Sequence, residues 1–438
     1  MVSPLFRYFM HVLKIFCLLA AAAASSSCVR LTLAWTDLSP RGAPAAPPVL
    51  AVKESLDVWR IERSPQVRDA FEQHVIGVMP EAASTRVLEK RVIDAAAFGG
   101  RGRLEEWTLS ATATFNGVAV DTREVMDSGG FLVQVVVPNN AAGPSPVIMM
   151  QTFCPSWDAM PHAGVSQPAD AESMNGGFFG SIATYVFGRF ICTPPYADIL
   201  DRGYAVASFF PSSVVPDNAE AGLAELRRLS AGHEDDETRW GAVAAWGWLY
   251  GRMTDAFEGD DRFDKDGFIA WGHSRYGKAA LYAAAFDDRI DGVIAHQSGT
   301  GGASLNRNKP GESVASMTEN YPHWFAQNYA GAGERETEMP IDQHQLLALI
   351  APRPILLGNA RRDVWSDPNG AFRAATGAGP VWALHGAKGL RQDRLDQWEP
   401  AADIAFWIRP GTHGVVEEDW PAFLQFLDAH FGAATGAS

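Results

Sequence analysis

Short apolar runs bounded by turn residues recur along the chain and alternate with segments that carry helix-forming residues. Apolar and polar positions alternate over 107–120, and compact apolar runs follow at 131–140, 146–154 and 203–211. Such runs, rich in β-branched and aromatic residues, predict strands with turns between them. The next segment, 239–257, has the length and apolar spacing of a long, largely buried helix.

The second half of the chain continues this alternation. Apolar runs at 266–272, 290–299, 353–363 and 379–386 predict further strands, with helical segments between them. Strands that alternate with helices form βαβ units, which build a mostly parallel sheet with helices on both faces. The sequence therefore predicts a three-layer α/β/α sandwich with a mostly parallel central sheet and antiparallel N-terminal edge strands.

The N-terminal residues differ from the rest in composition. Arg7 and Lys14 precede the apolar run 15–24, which is too short to span a bilayer, and small residues follow it. Residues 1–28 are therefore predicted as an export signal segment, which sends the chain to the periplasm or out of the cell. Cys28 is a candidate for a lipid anchor, but a serine stands where lipoproteins usually carry leucine, so plain export is favoured.

The domain boundaries follow from composition and length. The Pro- and Ala-rich stretch 39–51 predicts a linker, placed at 29–59. No internal repeat divides the remainder, so residues 60–438 are predicted as a single catalytic domain.

Charge and cysteine content narrow the function classes. The formal net charge of −15 argues against a nucleic-acid partner, whose phosphates require a basic surface, and no Lys/Arg run indicates membrane binding. No metal-binding motif occurs in the sequence, so neither a metal nor another cofactor is predicted. We also expect the protein to be a monomer. Cys154 and Cys192 are a candidate disulfide; two separate buried thiols are the alternative.

One serine lies between glycines where an apolar run meets a helix-forming segment. The residues "AWGHSRYGKAA" place Ser274 on a predicted strand–turn–helix corner, where α/β-hydrolases hold their nucleophile. The usual elbow reads G-x-S-x-G, but Tyr276 stands at the second glycine position and Gly277 follows it. A tight turn with an ordinary capping serine is the alternative interpretation.

A serine hydroxyl needs a base, and in this fold the acid and then the histidine follow the nucleophile along the chain. His413 lies on a glycine-flanked loop before the last predicted helix, which makes it the favoured base. His385 is a rival at the end of a predicted strand, whereas His344 and His430 lie in helical patterns.

The acid is sought on loops that follow strands, because the carboxyl ends of parallel strands meet at one edge. Asp363 comes first after the apolar run 353–359 and is favoured, whereas Asp367 precedes a proline and is typical of a turn. A salt bridge from Asp363 to Arg361 or Arg362 is the alternative.

Linked motifs in the second half resemble one family. The stretch "GHSRYGK" is similar to the G-x-S-R-x-G-K elbow of glucuronoyl esterases, carbohydrate esterase family fifteen, which also lacks the second glycine. The resemblance extends through "QSGTGGASLNR", "GESVASMTENYPHWF", "DQHQLLALIAPRPILLGNARRDVWSDP" and "GTHG", and it covers the N-terminal half only loosely. It implies an α/β-hydrolase that uses a serine triad and no metal to cleave esters between (4-O-methyl)glucuronic acid on xylan and lignin alcohols.

The resemblance also implies roles for single residues. Ser274 becomes the nucleophile, His413 the base, and Arg275 a group that assists the oxyanion. The positions expected to contact the uronic sugar are Lys278, Glu312 and Trp365.

One position departs from the family pattern. Many members carry the triad glutamate in a stretch similar to Q-E-S-G, but this chain reads "HQSG", with Gln297 at that place. Gln297 cannot bear the charge, so Asp363 is expected to be the acid.

Two other functions remain open from the sequence. Another exported carbohydrate carboxylesterase, of the acetyl-xylan or feruloyl type, would use the same triad on a different acyl group. A catalytically inactive hydrolase fold that only binds plant-wall carbohydrate is the second, and Gln297 gives it weight.

Overall fold

The computed structural model describes residues 34–51, 54–124, 126, 129–168, 184–307, 310–333 and 335–432. The predicted export segment 1–28, with the candidate lipid anchor at Cys28, lies outside these residues. Within them, no helix is long and apolar enough to cross a bilayer.

A single mixed sheet forms the centre of the molecule. Its described strands are β1 (Ala82–Ala96), β2 (Gly102–Phe115), β3 (Val118–Asp121), β4 (Phe131–Pro138), β5 (Ser145–Gln151), β6 (Ala205–Phe209), β7 (Phe263–His273), β8 (Gly292–His296), β9 (Ile355–Ala360) and β10 (Ile404–Arg409). Their spatial order is β1-β2-β4-β6-β5-β7-β8-β9-β10, with β3 paired to β2. Strands β5 to β10 are parallel to one another. Strands β1 to β4 pair antiparallel at one edge, and β4 joins them to β6, also antiparallel. This arrangement confirms the predicted fold class.

Helices pack on the sheet and connect its strands. The described α-helices are α1 (Leu56–Val58), α2 (Ser64–Phe71), α3 (Ala97–Gly100), α4 (Ser156–Ala159), α5 (Tyr196–Asp201), α6 (Ala219–Leu229), α7 (Ala242–Phe257), α8 (Arg275–Phe286), α9 (Val314–Asn320), α10 (Gln327–Gly331), α11 (Gln343–Ala348), α12 (Pro368–Leu384) and α13 (Asp419–Phe431). The π-helical turns Trp59–Arg63 and Glu72–Ile76 extend the first helical region. Helix α7 and the last helix match the sequence prediction.

Two apolar clusters sandwich the parallel strands. Trp246 and Tyr250 of α7 belong to the cluster on one face, and Trp420 and Phe423 of α13 belong to the cluster on the other. Parallel strands buried on both faces need apolar residues at successive positions, which explains the continuous apolar runs in the sequence.

The prediction of a strand at 379–386 is wrong. Those residues form the last turns of α12 and the turn after it. Val381 and Trp382 are fully buried on the inner face of the helix. A short, continuous apolar run shows neither the helical nor the strand periodicity, so the sequence could not distinguish a buried helix from a buried strand here.

The segment predicted as a linker contacts the domain over part of its length. The backbone N–H of Arg41 donates to Asn369 Oδ1 at 2.7 Å, and the Asn369 amide donates to the carbonyls of Asp37 and Ser39. These bonds hold the segment along the start of α12. The boundary at residue 60 stays a prediction.

A disulfide joins Cys154, just after β5, to Cys192, with Cα atoms 5.3 Å apart. Of the two interpretations left open by the sequence, the bonded pair is therefore the one that the structure forms.

Candidate active site at the carboxyl ends of the strands

Ser274 occupies a sharp corner between β7 and α8. Its φ of 55° and ψ of −122° lie in a region that residues with a side chain rarely adopt. Strain of this kind persists only where the surroundings enforce it, and it turns the side chain away from the strand. Ser274 is partly exposed, so its hydroxyl is open to a substrate.

Close backbone contacts exclude a side chain at Gly272 and leave little room for one at Gly277. A Cβ at Gly272 would lie 2.0 Å from the carbonyl oxygen of Tyr276, and one at Gly277 would lie 3.0 Å from the Gly272 oxygen. Tyr276 itself packs against Phe153, with ring centroids 4.8 Å apart. The second close approach of this elbow therefore falls one residue later than in G-x-S-x-G, which explains why tyrosine is accepted.

His413 and Asp363 meet across the ends of β9 and β10. His413 Nδ1 donates to Asp363 Oδ2 at 2.8 Å. The Asp363 carboxyl is buried, which by itself raises its pKa; the positive charge and hydrogen bond of His413 and the hydrogen bonds from Ser366 outweigh burial and lower that pKa. Asp363 is thus a carboxylate wherever imidazoles titrate, and it orients the histidine ring.

The His413 ring also lies beside the elbow. Its centroid is 4.6 Å from that of His273, the residue immediately before Ser274. The fold therefore brings Ser274, His413 and Asp363 to one edge of the sheet, although they are far apart in sequence.

Gln297 supports the histidine loop instead of supplying a charge. It follows β8 with a φ of 50° and is buried. Its Oε1 accepts the backbone N–H of Gly414 at 2.9 Å, and its Nε2 donates to the carbonyl of Thr412 at 3.3 Å. The amide thus bonds the backbone on both sides of His413.

Arg275 is held by a carboxylate that sequence reasoning missed. It forms an ion pair with Asp217, and its guanidinium lies 5.2 Å from the ring centroid of Trp324. Asp217 also accepts from Trp324 Nε1 at 2.8 Å and from His323 Nε2 at 2.9 Å. Burial, followed by the charge of Arg275, lowers the pKa of His323 to about 4, so this ring is neutral at pH 7. Asp217 carries no local motif that could have revealed this role.

The three residues expected at the sugar lie in one connected group. Lys278 Nζ is buried and donates to the carbonyls of Ser298 and Thr300, each at 2.6 Å. Thr300 Oγ1 donates to the carbonyl of Glu312, and the Glu312 N–H donates to the carbonyl of Trp365 at 3.1 Å. Hydrogen bonds through the Lys278 and Thr300 side chains and the backbone of Glu312 and Trp365 therefore connect the three positions.

The rival histidines occupy structural positions. His385 Nδ1 lies 3.4 Å from Arg60 Nη2, after the end of α12. His344 Nε2 bonds the carbonyl of Pro47, and His430 Nε2 bonds that of Ala402. Each of these rings has a partner away from Asp363.

His413→Ala is expected to reduce kcat about as strongly as loss of the serine, since members of a triad act as a unit. His385→Ala is the matched control and should leave kcat close to that of the wild type. Steady-state hydrolysis of a uronate ester by both variants checks this, and a reversed ranking would contradict the assignment of His413.

Among the described residues, no group of three or more His, Cys, Asp or Glu side chains could hold a metal ion.

A serine at a strand–turn–helix elbow, followed along the chain by an aspartate and then a histidine, is the arrangement of the α/β-hydrolases. Comparisons with known proteins narrow this class. A family model described as glucuronyl esterase of fungi matches residues 202–386. A solved structure of a glucuronoyl esterase from Solibacter usitatus has a TM-score of 0.72 and 30% sequence identity, over 89% of this chain and 99% of that chain. The chain belongs to the glucuronoyl esterases of carbohydrate esterase family 15.

Curated relatives match over shorter regions. Carbohydrate esterase MZ0003, from an unknown prokaryotic organism, is 37% identical over 235 residues, which are 52% of this chain and 54% of that protein. A 4-O-methyl-glucuronoyl methylesterase from Phanerochaete carnosa is 32% identical over 33% of this chain and 38% of its own length. The matched region thus spans about half the length of the first relative and 38% of the length of the second.

Proposed function

We propose that the protein is a serine-dependent carboxylic ester hydrolase that cleaves esters between (4-O-methyl)glucuronic acid of glucuronoxylan and lignin alcohols. The observation that carries this proposal is the bond from His413 to Asp363 beside the Ser274 elbow. The family, and the similarity to the 4-O-methyl-glucuronoyl methylesterase of Phanerochaete carnosa, support the uronate as the acyl group.

The proposed reaction uses the triad in two half-reactions. His413 takes the proton of Ser274 as the hydroxyl oxygen attacks the ester carbonyl, and then gives it to the departing alcohol. A glucuronoyl ester of Ser274 remains. Water, deprotonated by His413, attacks this ester, and the proton returns to the serine as the uronic acid leaves. Asp363 holds the imidazole in the required tautomer and stabilises its charged form.

The oxyanion is stabilised from the start of α8. The backbone N–H of Arg275 is one donor, as in other α/β-hydrolases. The Arg275 guanidinium adds positive charge near the same oxygen, and Asp217 fixes its direction. Donors aimed at a developing oxyanion are typically worth about 3 kcal/mol each.

Lys278, Glu312 and Trp365 are proposed to bind the uronic sugar. The Lys278 ammonium has three N–H donors. Its bonds to the carbonyls of Ser298 and Thr300 fix its position beside α8. Trp365 is half-buried and offers an aromatic surface to the sugar face. The site is proposed to need no cofactor or metal, and the chain to act as a monomer.

The proposed location is outside the cytoplasm. The disulfide between Cys154 and Cys192 is consistent with an oxidising compartment. The export segment 1–28 and a lipid anchor at Cys28 remain proposals from the sequence.

Uronate esters are expected to be hydrolysed with a kcat/KM higher than that for acetate esters by about a hundredfold or more, because a site built for sugar hydroxyls disfavours an acyl group without them. Side-by-side assays of benzyl glucuronate and p-nitrophenyl acetate measure this. Trp365→Ala should raise KM for the glucuronate ester and leave acetate hydrolysis nearly unchanged.

The outcomes separate the remaining candidates. Comparable kcat/KM values on both esters would favour a carboxylesterase of broader specificity. A protein that hydrolyses neither ester, with Ser274 unlabelled by a fluorophosphonate, would favour the carbohydrate-binding hydrolase fold without activity.

A further inference from the structure

The loop 410–416 carries His413 and is held by a side chain that no proposed catalytic step uses. Arg409 Nη2 donates to the carbonyl of Gly414 at 2.8 Å, and Arg409 Nη1 donates to the carbonyl of Pro410 at 2.9 Å. These two bonds fix the loop at its start and directly after His413.

Arg409 is in turn fixed by a buried carboxylate at the start of α13. Its Nε donates to both Asp419 oxygens, at 2.9 and 3.0 Å, and the two side chains are only 4% and 0% exposed. Asp419 also accepts the backbone N–H of Val416 at 2.9 Å and the indole N–H of Trp407 at 3.3 Å. A buried ion pair is tolerated when further hydrogen bonds satisfy it, and these bonds run to the histidine loop.

Asp419 also adjoins two buried histidines that lead to the catalytic ring. Its Oδ1 lies 3.5 Å from His296 Nε2, and His296 Nδ1 lies 3.2 Å from His273 Nδ1. Burial lowers the pKa of both rings, and the charges of His413 and Arg409 add to this, while Asp419 opposes it at His296. Neutral rings therefore pack between the carboxylate and His413.

We propose that Asp419, acting with Arg409, is a positioning residue for His413. The pair fixes the loop backbone on both sides of His413 and so aims its imidazole at Ser274. The inference rests on the proposed catalytic role of His413. A displacement of the His413 ring by about 1 Å can cost a hundredfold in rate. The pair is therefore expected to act on turnover and not on substrate binding.

Asp419→Asn tests the proposal. The amide keeps an acceptor for the Val416 N–H but leaves Arg409 buried without its counter-charge. We expect kcat on benzyl glucuronate to fall about a hundredfold, with KM changed by less than about twofold. A purely structural role would lower stability and leave kcat per folded molecule unchanged, which would overturn the proposal.

A double variant, Arg409→Met with Asp419→Leu, separates stability from positioning. Apolar replacement of a buried ion pair is often neutral or stabilising, so thermal unfolding should return towards that of the wild type. The bonds to Gly414, Pro410 and Val416 are all lost in this variant, so kcat should remain low. Recovery of both properties would overturn the proposal.

Arg409→Lys decides the question if the double variant does not fold. Lysine keeps the positive charge but not the planar set of donors that reaches Asp419, Gly414 and Pro410 together. Its kcat should fall, and wild-type turnover in this variant would contradict the proposal.

Glu105→Gln is the matched control at the opposite end of β7. Glu105 is buried and accepts from Arg262 at 2.8 and 3.0 Å. Loss of this charge should reduce thermal stability while kcat and KM stay at wild-type values.

A readout without substrate keeps this test separate from the proposed function. The proton on His413 Nδ1, bonded to Asp363, should give a downfield NMR signal in the wild type and in Glu105→Gln. The signal should shift or vanish in Asp419→Asn. An inactive wild-type protein would refute the proposed function alone, whereas an unchanged signal in Asp419→Asn would refute the positioning role.

Discussion

Ser274→Ala is expected to abolish hydrolysis of uronate esters while the fold is kept. Without the hydroxyl no acyl-enzyme can form, and removal of the serine from another serine hydrolase costs about a millionfold in kcat. Alanine tolerates the positive φ of this corner about as poorly as serine, so the strain is unchanged. Residual turnover of benzyl glucuronate and thermal unfolding measure the two effects.

Labelling by a fluorophosphonate provides an independent check on the nucleophile. The wild type should be labelled at Ser274, and Ser274→Ala should not be labelled. Ser212→Ala is the control, because the Ser212 hydroxyl bonds the Tyr276 hydroxyl at 3.1 Å and has no proposed catalytic role. Near-wild-type turnover in Ser274→Ala would show that the nucleophile lies elsewhere.

Strands β5 to β9 of the parallel half could be predicted because their sequences show compact apolar runs, whereas β10 was not among the predicted strands. Strands such as β8 are buried at every position, so the sequence shows a compact apolar run between turns. The elbow was predictable for a different reason: the contact that excludes a side chain at Gly272 is with Tyr276, four residues away, so the glycine is visible in the local sequence.

The opposite edge of the sheet was not predictable from such runs. Strand β1 spans Ala82–Ala96, yet most of its residues are exposed and several are charged. An edge strand with little burial on either face has no alternation to detect, and its charged side chains protect the edge from pairing with another chain. Its hydrogen bonds to β2 therefore define the strand, although its sequence shows no strand pattern.

The candidate site divides in a similar way. Ser274, Asp363 and His413 follow strand ends, so the rule for the carboxyl edge of a parallel sheet places them together. Asp217 and Asp419 instead act on Arg275 and on the loop of His413 through contacts that only the folded chain creates. No local spacing could have predicted either.

Asp363→Asn is expected to lower kcat by several orders of magnitude. The corresponding change in a serine protease costs about ten-thousandfold, because the amide stabilises the wrong tautomer of the histidine. The 2.8 Å bond between Asp363 and His413 implies the same dependence here. Gln297→Ala should cost much less, since the Gln297 side chain bonds the backbone of the histidine loop at Thr412 and Gly414. Steady-state kcat on benzyl glucuronate measures both variants, and a nearly fully active Asp363→Asn would mean that the charge comes from elsewhere.

Gln297→Glu on the Asp363→Asn background is expected to restore part of the lost activity. Gln297 contacts the loop on both sides of His413, so a carboxylate at this position lies within the loop's immediate surroundings. Its charge can balance the imidazolium from the second loop, although the bond to the Thr412 carbonyl is lost, so recovery should be partial. Gln297→Glu alone, with Asp363 intact, is the control and should change kcat little. No gain in the double variant would show that only the end of β9 can supply the acid.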